Sequence, residues 1–188
     1  MLDPTLARRI RLVGLDVDGV LTDGGIYVGQ LDNRPVELKR FDIQDGLGIK
    51  FLRQAGLAVV VVSARRSDAT DLRARELKVD AVVQDKRKLP AFETLLAQRG
   101  VGWDACAFVG DDLPDLPLLR RVAVPIAVAN AVPEIKAAAR VVTGARGGHA
   151  AVREVAELLL RARGEWDALL ERYLQERGDA AHASSRSH

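Results

Sequence analysis

Residues 11–22, RLVGLDVDGVLT, join a short apolar run to two closely spaced aspartates, Asp16 and Asp18. The run predicts a strand, and the carboxyl ends of strands in an α/β sheet open into the crevice where ligands bind. Two carboxylates this close repel each other unless a cation joins them, and Mg²⁺ prefers carboxylate oxygens. For an isolated acidic pair, a turn with a capping side chain is the commoner interpretation. A metal site is therefore favoured only if other predicted strands also end in suitable polar residues.

Five further runs share the character of the first one, because they are apolar almost throughout. Strands with that pattern are covered on both faces, which is typical of a parallel sheet. These predicted strands are 57–63, 80–84, 105–110, 123–129 and 140–143. Predicted amphipathic helices alternate with them at 46–54, 67–77, 89–99, 113–122, 133–139 and 149–163. The alternation predicts an α/β fold with a doubly wound, mostly parallel, Rossmann-like sheet.

Residues 22–41 interrupt this alternation and predict a β-hairpin that projects from the sheet. We predict one main domain at 8–163, followed by a helical extension at 164–177. Residues 178–188 are polar and rich in serine and histidine, so we expect a disordered tail there.

The composition excludes several classes of protein. The chain has 188 residues, of which 48% are hydrophobic and 29% charged, as in soluble globular proteins. A net charge of +2 and 4% aromatic residues do not favour a nucleic-acid partner. No apolar run approaches the roughly 20 residues of a membrane span, and a single cysteine, Cys106, rules out an intrachain disulfide. We expect a cytoplasmic protein with neither a nucleic-acid nor a membrane partner.

Chemically useful side chains follow four of the predicted strands. The first strand delivers an acid pair, the second a hydroxyl, the third a lysine at the start of the next helix, and the fourth a group of acids. In chain order they are Asp16 and Asp18, Ser63, Lys88, and then Asp111, Asp112 and Asp115. This set suffices to hold a phosphate against Mg²⁺ and to attack it.

The order DxDGxxT, strand-terminal Ser, Lys and GDDxxD resembles the haloacid dehalogenase superfamily of phosphohydrolases. The segments DVDGVLTDG, GDDLPDLPLL and GGHAAVREV resemble most the members that act on phosphorylated sugar acids of lipopolysaccharide synthesis. The resemblance covers 11–163. It implies Mg²⁺-dependent hydrolysis of a phosphate monoester through an aspartyl-phosphate, with a small phosphorylated sugar acid as substrate.

The resemblance also implies a role for each residue. Asp16 is expected to be the nucleophile, and Asp18 the general acid and then the general base. Mg²⁺ is expected to bind Asp16, the main-chain carbonyl of Asp18, and Asp111. Ser63 and Lys88 are expected to bind the phosphoryl group, while Asp112 and Asp115 orient the site. Lys86 is an alternative to Lys88, which is favoured because it begins a helix and because its spacing to the GDD segment matches the family.

The chain has no room for the inserted cap domain of about 50 residues or more that many members of this superfamily carry. The resemblance implies a homotetramer in which the hairpins pack centrally and neighbours cover the open sites. Substrate contacts then fall to Asp18, Ser63, Lys88 and loops beside them. By family position, the loop candidates are Asp42, Ile43, Gln44, Asp45, Gly46, Lys50, Arg65 and Arg73.

Three departures from the family pattern concern specificity. Ser63-Ala64-Arg65 stands where Thr-Gly-Arg is usual, Gln44 replaces an arginine, and Ala150 falls where GGxGAVRE has its third glycine. A related nine-carbon sugar-acid phosphate is therefore an alternative substrate. A weakly active phosphosugar-binding or oligomerisation module is a further alternative, whereas a signalling receiver domain is disfavoured because its lysine follows its acids.

Overall fold

The computed structural model describes residues 2–179. Of the predicted tail, only Gly178 and Asp179 belong to this part of the chain, and the rest lies outside the described residues. Within the described part, no helix is long and apolar enough to cross a membrane.

Six parallel strands form the central sheet and two antiparallel strands form a separate hairpin. In chain order the strands are β1 (Leu12–Leu15), β2 (Tyr27–Leu31), β3 (Arg34–Leu38), β4 (Ala58–Ser63), β5 (Ala81–Gln84), β6 (Cys106–Gly110), β7 (Val124–Ala127) and β8 (Val141–Val142). The sheet order is β5-β4-β1-β6-β7-β8, with β1 between β4 and β6. The chain therefore winds outward from β1 in both directions, and the predicted doubly wound parallel sheet is confirmed.

Eight α-helices accompany these strands in the described residues. They are α1 (Pro4–Arg9), α2 (Ile43–Gln54), α3 (Asp68–Leu77), α4 (Lys88–Arg99), α5 (Leu116–Leu119), α6 (Pro133–Ala138), α7 (Ala151–Arg163) and α8 (Trp166–Glu176). The single helix predicted at 113–122 is instead a 3₁₀ turn followed by the short α5. Pro114 and Pro117 explain the difference, because proline has no N–H to continue a helical ladder. Helix α1 was not predicted.

The core lies on both faces of the sheet. Helices α1 and α2 pack on α7, and α5 packs on α4 and α6. Phe92 meets Phe108 edge-on at 5.7 Å between ring centroids, and Phe51 meets Trp166 at 5.4 Å. Strands β1 and β6 are completely buried, which is why their sequences show no polar alternation.

The hairpin projects from the sheet edge that carries the predicted site. Asp32 and Asn33 form its two-residue turn with φ values of 49° and 58°, as a tight hairpin with the native strand twist requires. Its root is closed by an antiparallel bridge between Thr22 and Phe41. Every residue of β2 is exposed, so the hairpin adds nothing to the core of the single chain.

Candidate active site

The backbone after β1 folds into one tight turn, Val17–Leu21. Thr22 holds it from inside, because its buried hydroxyl donates to the Val17 carbonyl at 3.2 Å and accepts from the Gly19 N–H at 3.2 Å. Gly19 has φ 96°, a conformation that favours glycine. This geometry accounts for the Gly and the Thr in the DxDGxxT pattern.

Asp16, Lys88 and Asp115 form a buried cluster at the carboxyl ends of β1 and β6. The Lys88 ammonium donates to Asp16 Oδ1 at 2.5 Å and to Asp115 Oδ1 at 2.6 Å. The Asp111 N–H donates to Asp115 Oδ2 at 3.1 Å. Both oxygens of Asp115 are therefore engaged, and this side chain fixes the lysine against the Asp111 backbone.

Burial and mutual repulsion shift the pKa values in this cluster. Burial, together with the Asp115 charge, raises the pKa of Asp16 well above its ordinary value, although Lys88 opposes the shift. Burial and the same Asp115 charge raise the pKa of Asp111 to about 6. Burial alone would lower the pKa of Lys88, but Asp16 and Asp115 outweigh it and raise that pKa. The lysine is therefore charged at neutral pH and neutralises only part of the acidic charge.

The remaining acidic charge fits a hard divalent cation. Oxygens of Asp16, Asp111 and Asp115 lie within 4.8 Å of one another. Asp111 Oδ1 is buried and has no hydrogen-bond partner among the described residues. A Cβ on Gly19 would stand 2.0 Å from Asp111 Oδ2, so the glycine lets this carboxylate approach the turn. An all-oxygen donor set with an unsatisfied buried acceptor suits Mg²⁺.

Ser63 ends β4, the neighbour of β1, and is buried. Its Oγ accepts a hydrogen bond from the Arg65 N–H at 3.1 Å, which fixes the side chain at the sheet edge. Ser63, Lys88 and the acids thus come from adjacent strand ends, as the sequence predicts.

Asp18 has a partner that the sequence analysis missed. The Lys39 ammonium, on the chain leaving β3, donates to Asp18 Oδ1 at 2.7 Å and to Thr70 Oγ1 at 3.3 Å. Glu37, two residues earlier, accepts from Arg65 at 2.6 Å and from Ser67 Oγ at 2.8 Å. A separation of two residues puts Glu37 and Lys39 on the same face of a strand. The local sequence does not predict that this face contacts the turn after β1.

Asn130, which follows β7, was also missed. Its Nδ2 donates to the Gly19 carbonyl at 2.9 Å, and its Oδ1 accepts from the Gly147 N–H at 2.6 Å. A Cβ on Gly147 would lie 1.8 Å from the Gly19 carbonyl oxygen, so two backbone segments touch directly here. Asn130 therefore ties the turn after β1 to the loop before α7.

The predicted substrate residues divide into two groups. Arg65 NH1 lies 3.9 Å from Asp18 Oδ2, in the turn after β1. The other loop candidates lie in or beside a separate cavity of about 980 Å³ between α2, α3, α7 and α8, with Arg73 on α3 and the rest at α2. From the predicted set, this cavity is lined by Ile43, Gln44, Gly46, Lys50 and Arg73. None of the residues in the acidic cluster lines it.

Asp42 and Asp45 both serve as helix caps. Asp42 Oδ1 accepts from the Gln44 N–H at 2.8 Å, and its carbonyl accepts from Arg73 at 3.0 Å. Asp45 is buried, and its Oδ1 accepts from the Arg153 N–H in the first turn of α7 at 2.8 Å. Burial raises the pKa of Asp45 to about 6. The prediction that helix α2 starts at residue 46 was wrong by three residues, because Asp42 supplies the cap.

Fold and site together define a haloacid dehalogenase-like hydrolase, and residues 76–153 match the family model of that description. The chain is 41% identical over 164 residues to the 3-deoxy-D-manno-octulosonate 8-phosphate phosphatase KdsC of Salmonella typhi, covering 87% of this chain and 86% of the relative. The corresponding enzyme of Escherichia coli K12 is 41% identical over 162 residues, covering 86% and 85%. The chain belongs to this phosphatase family of the haloacid dehalogenase-like hydrolases, which confirms the predicted resemblance.

Solved structures agree with this assignment. The 3-deoxy-D-manno-octulosonate 8-phosphate phosphatase of Moraxella catarrhalis, in complex with magnesium, phosphate and KDO, superimposes with a TM-score of 0.86 at 37% identity, over 90% of this chain and 97% of that one. The cobalt-bound phosphatase of Haemophilus influenzae gives a TM-score of 0.78 at 36% identity, over 85% and 92%.

Proposed function

We propose that this protein hydrolyses 3-deoxy-D-manno-octulosonate 8-phosphate to the free sugar acid and inorganic phosphate, with Mg²⁺, in the synthesis of lipopolysaccharide precursors. The observation that carries the proposal is the buried cluster in which Lys88 bridges Asp16 and Asp115 beside Asp111. The curated relatives, at 41% identity over most of the chain, support the same substrate.

In the first half-reaction, a carboxylate oxygen of Asp16 attacks phosphorus. The bond between phosphorus and the sugar oxygen breaks as the new bond forms, which leaves an aspartyl-phosphate on Asp16. Asp18 gives its proton to the departing alkoxide, so the sugar leaves as an alcohol.

In the second half-reaction, water attacks phosphorus of the aspartyl-phosphate. Asp18, now a carboxylate, takes the proton of that water while the bond between phosphorus and Asp16 breaks. Inorganic phosphate leaves, and both aspartates return to their starting states. The net change is the consumption of one water per phosphate released.

Mg²⁺ would be held by Asp16, the main-chain carbonyl of Asp18, and Asp111. When bound, it neutralises charge on the phosphoryl oxygens and on the attacking carboxylate. Lys88 and Ser63 bind the phosphoryl oxygens from the protein side. Asp115 holds Lys88 in place, and Asp112 orders the loop by accepting from the Leu113 N–H at 2.8 Å.

We assign substrate recognition to Arg65, whose guanidinium lies beside Asp18 and whose fork geometry suits the carboxylate of a sugar acid. Arg73, Lys50 and the segment 42–46 complete the set from the cavity between α2, α3, α7 and α8, with Asp42 and Asp45 acting through the helices that they cap. Residues 8–163 form the capless phosphatase domain, and 164–177 extend it.

We further propose that the active form is a cytoplasmic homotetramer. The hairpin exposes Tyr27, Val28, Leu31 and Leu38, and a contact with other copies would cover these side chains. Only the hairpin and α2 stand between the turn after β1 and β4, so a neighbouring copy is the simplest cover for the site. The single cysteine, which forms no disulfide, suits a reducing compartment.

Phosphate release from 3-deoxy-D-manno-octulosonate 8-phosphate, with Mg²⁺ and then with excess chelator, tests the function. We expect turnover with Mg²⁺ only, and a loss of at least about 1,000-fold in Asp16→Asn, because the nucleophile is removed. Asp167→Asn, on the exposed face of α8, is the matched control. Faster turnover of a nine-carbon sugar-acid phosphate would reassign the substrate, and normal turnover by Asp16→Asn would reject the covalent mechanism.

A further inference from the structure

Lys39 is a buried lysine outside the set of residues assigned above. Its side chain has 0% exposure, and its ammonium lies 2.7 Å from Asp18 Oδ1, 3.3 Å from Thr70 Oγ1 and 3.6 Å from Glu37 Oε1. Removing an ammonium from water is costly unless it is paired and hydrogen-bonded. Lys39 is paired and hydrogen-bonded because the root of the hairpin lies against the turn after β1.

The two ties between the hairpin and the sheet edge are separable. Glu37 binds Arg65 and the Ser67 hydroxyl in the loop after β4. The bridge between Thr22 and Phe41 closes the root independently. The hairpin therefore stays attached without Lys39, whose main contact is with Asp18.

The Lys39 contact also distinguishes the two oxygens of Asp18. Oδ1 accepts the hydrogen bond from Lys39 at 2.7 Å, whereas Oδ2 lies 3.9 Å from Arg65 NH1. Asp18 itself sits at φ −77°, ψ 105° in the middle of the tight turn, where backbone geometry alone does not fix the side chain. With Oδ1 engaged, Oδ2 is the oxygen left to exchange a proton with the substrate.

We propose that Lys39 is a positioning residue of the phosphatase reaction, which acts by fixing the Asp18 carboxyl so that Oδ2 faces the leaving oxygen of the substrate. The inference rests on the proposed function, in which Asp18 protonates that oxygen. In this role, Lys39 gives the root of the hairpin a part in the reaction of its own subunit, through Asp18.

The test compares two leaving groups. A sugar alkoxide needs a proton as it departs, whereas p-nitrophenolate is stable enough to leave without one, and kcat/KM reports the steps up to formation of the aspartyl-phosphate. We expect Lys39→Met to lower kcat/KM for 3-deoxy-D-manno-octulosonate 8-phosphate by about tenfold or more and for p-nitrophenyl phosphate by less than about threefold, since general acid catalysis contributes about 10²–10⁴-fold. Lys39→Arg, which keeps the charge and the donor, should recover part of the loss.

A double-mutant cycle shows whether Lys39 acts through Asp18. Asp18→Asn should show the same dependence on the leaving group, and Lys39→Met added to it should cause no further loss with the sugar phosphate. Lys136→Met, an exposed lysine on α6, controls for the loss of a charge. If Lys39→Met does not fold, Lys39→Gln takes its place in both measurements.

Equal losses with both esters, or additive losses in the double variant, would overturn the role of Lys39 while leaving the phosphatase intact. A wild-type chain that hydrolyses neither ester would instead overturn the proposed function and this inference with it. Since the wild-type measurement comes first, the two failures are distinguishable.

Discussion

The acidic cluster and the hairpin differ in what they bury. The cluster buries charged side chains, whereas the hairpin exposes apolar ones. At the acidic cluster, Asp16, Lys88 and Asp115 are buried and meet at hydrogen-bond distance. On the hairpin, apolar side chains such as Val28, which is 80% exposed, face solvent. A stable single chain would normally bury the apolar groups and expose the charges. We expect a cation and phosphate to balance the charge of the first region, and the proposed contact with other copies of the chain to cover the second.

Substitutions in the two regions should therefore change different properties of the protein. Changes at the buried cluster should reduce the stability of the fold itself, because unpaired charges there have no water to solvate them. Changes to the exposed apolar side chains of the hairpin should leave the fold intact and alter association instead. Of four variants, taken from the largest expected effect on the free energy of unfolding to the smallest, Lys88→Met and Val28→Glu test that division. Asp45→Asn and Ala150→Gly add two positions at or against the start of α7 for comparison.

Lys88→Met should have the largest effect, lowering the free energy of unfolding by about 3–5 kcal/mol at pH 7.5 because two adjacent buried carboxylates lose their counter-charge. The deficit should shrink as the pH falls, since protonation of Asp16 and Asp115 removes their repulsion. Urea denaturation at pH 7.5 and 5.5 measures both effects, with Lys136→Met as the exposed control. A deficit under about 1 kcal/mol would mean that water reaches the cluster.

Asp45→Asn should have the next largest effect. Burial raises the pKa of Asp45 from 3.8 to about 6, so the folded state prefers the protonated carboxyl. Its contribution to stability is thus present below pH 4 and is lost as the pH rises through 6, at a cost of about 3 kcal/mol by pH 7.5.

The asparagine keeps an acceptor for the Arg153 N–H and carries no charge. The variant should therefore lose less stability than the wild type between pH 4.5 and 7.5, as measured by urea denaturation at both values. Parallel pH profiles for the two proteins would instead show that folding leaves the pKa of the Asp45 carboxyl unchanged.

Ala150→Gly should raise the free energy of unfolding by about 1 kcal/mol, because Ala150 holds the left-handed φ of 64° that glycine adopts without strain. Thermal denaturation of this variant beside Ala137→Gly measures the difference. Ala137 lies inside helix α6, where the same substitution should cost about 1 kcal/mol. A loss of stability in both variants would contradict the interpretation of strain at Ala150.

Val28→Glu should have the smallest effect on the fold, within about 0.5 kcal/mol, because the side chain has almost no contacts in the single chain. If the proposed tetramer forms through the hairpin, analytical ultracentrifugation should show smaller species for this variant than for the wild type. Asp32→Asn, at the tip of the same hairpin, is the control that leaves the apolar face unchanged. An unaltered sedimentation profile for Val28→Glu would place the subunit contact elsewhere.

The sheet and the cluster could be predicted from the sequence because each strand is one continuous apolar run with its polar residue at the end. In a parallel sheet, that position places Asp16, Ser63, Lys88 and Asp111 at one edge without further information. The helix boundaries were less predictable, since Asp42 caps α2 earlier than its apolar pattern suggests.

Lys39 and Asn130 could not be predicted in the same way. Each reaches the site across a long sequence separation, through a tertiary contact that leaves no periodic pattern in its own segment. The hairpin was predictable as an element, but its orientation depends on the ion pairs at its root. The cap function of Asp45 likewise depends on α7, more than 100 residues away.

The contact between the turn after β1 and the loop before α7 has a consequence for synthesis on the ribosome. The Gly148 N–H donates to the Val20 carbonyl at 3.1 Å, and Asn130 joins Gly147 to Gly19. A nascent or truncated chain that stops before Gly147 already carries Asp16, Asp18, Ser63, Lys88 and Asp111. It still lacks the backbone that contacts the turn beside Asp16, so these hydrogen bonds form only after residues 147–148 have been synthesised.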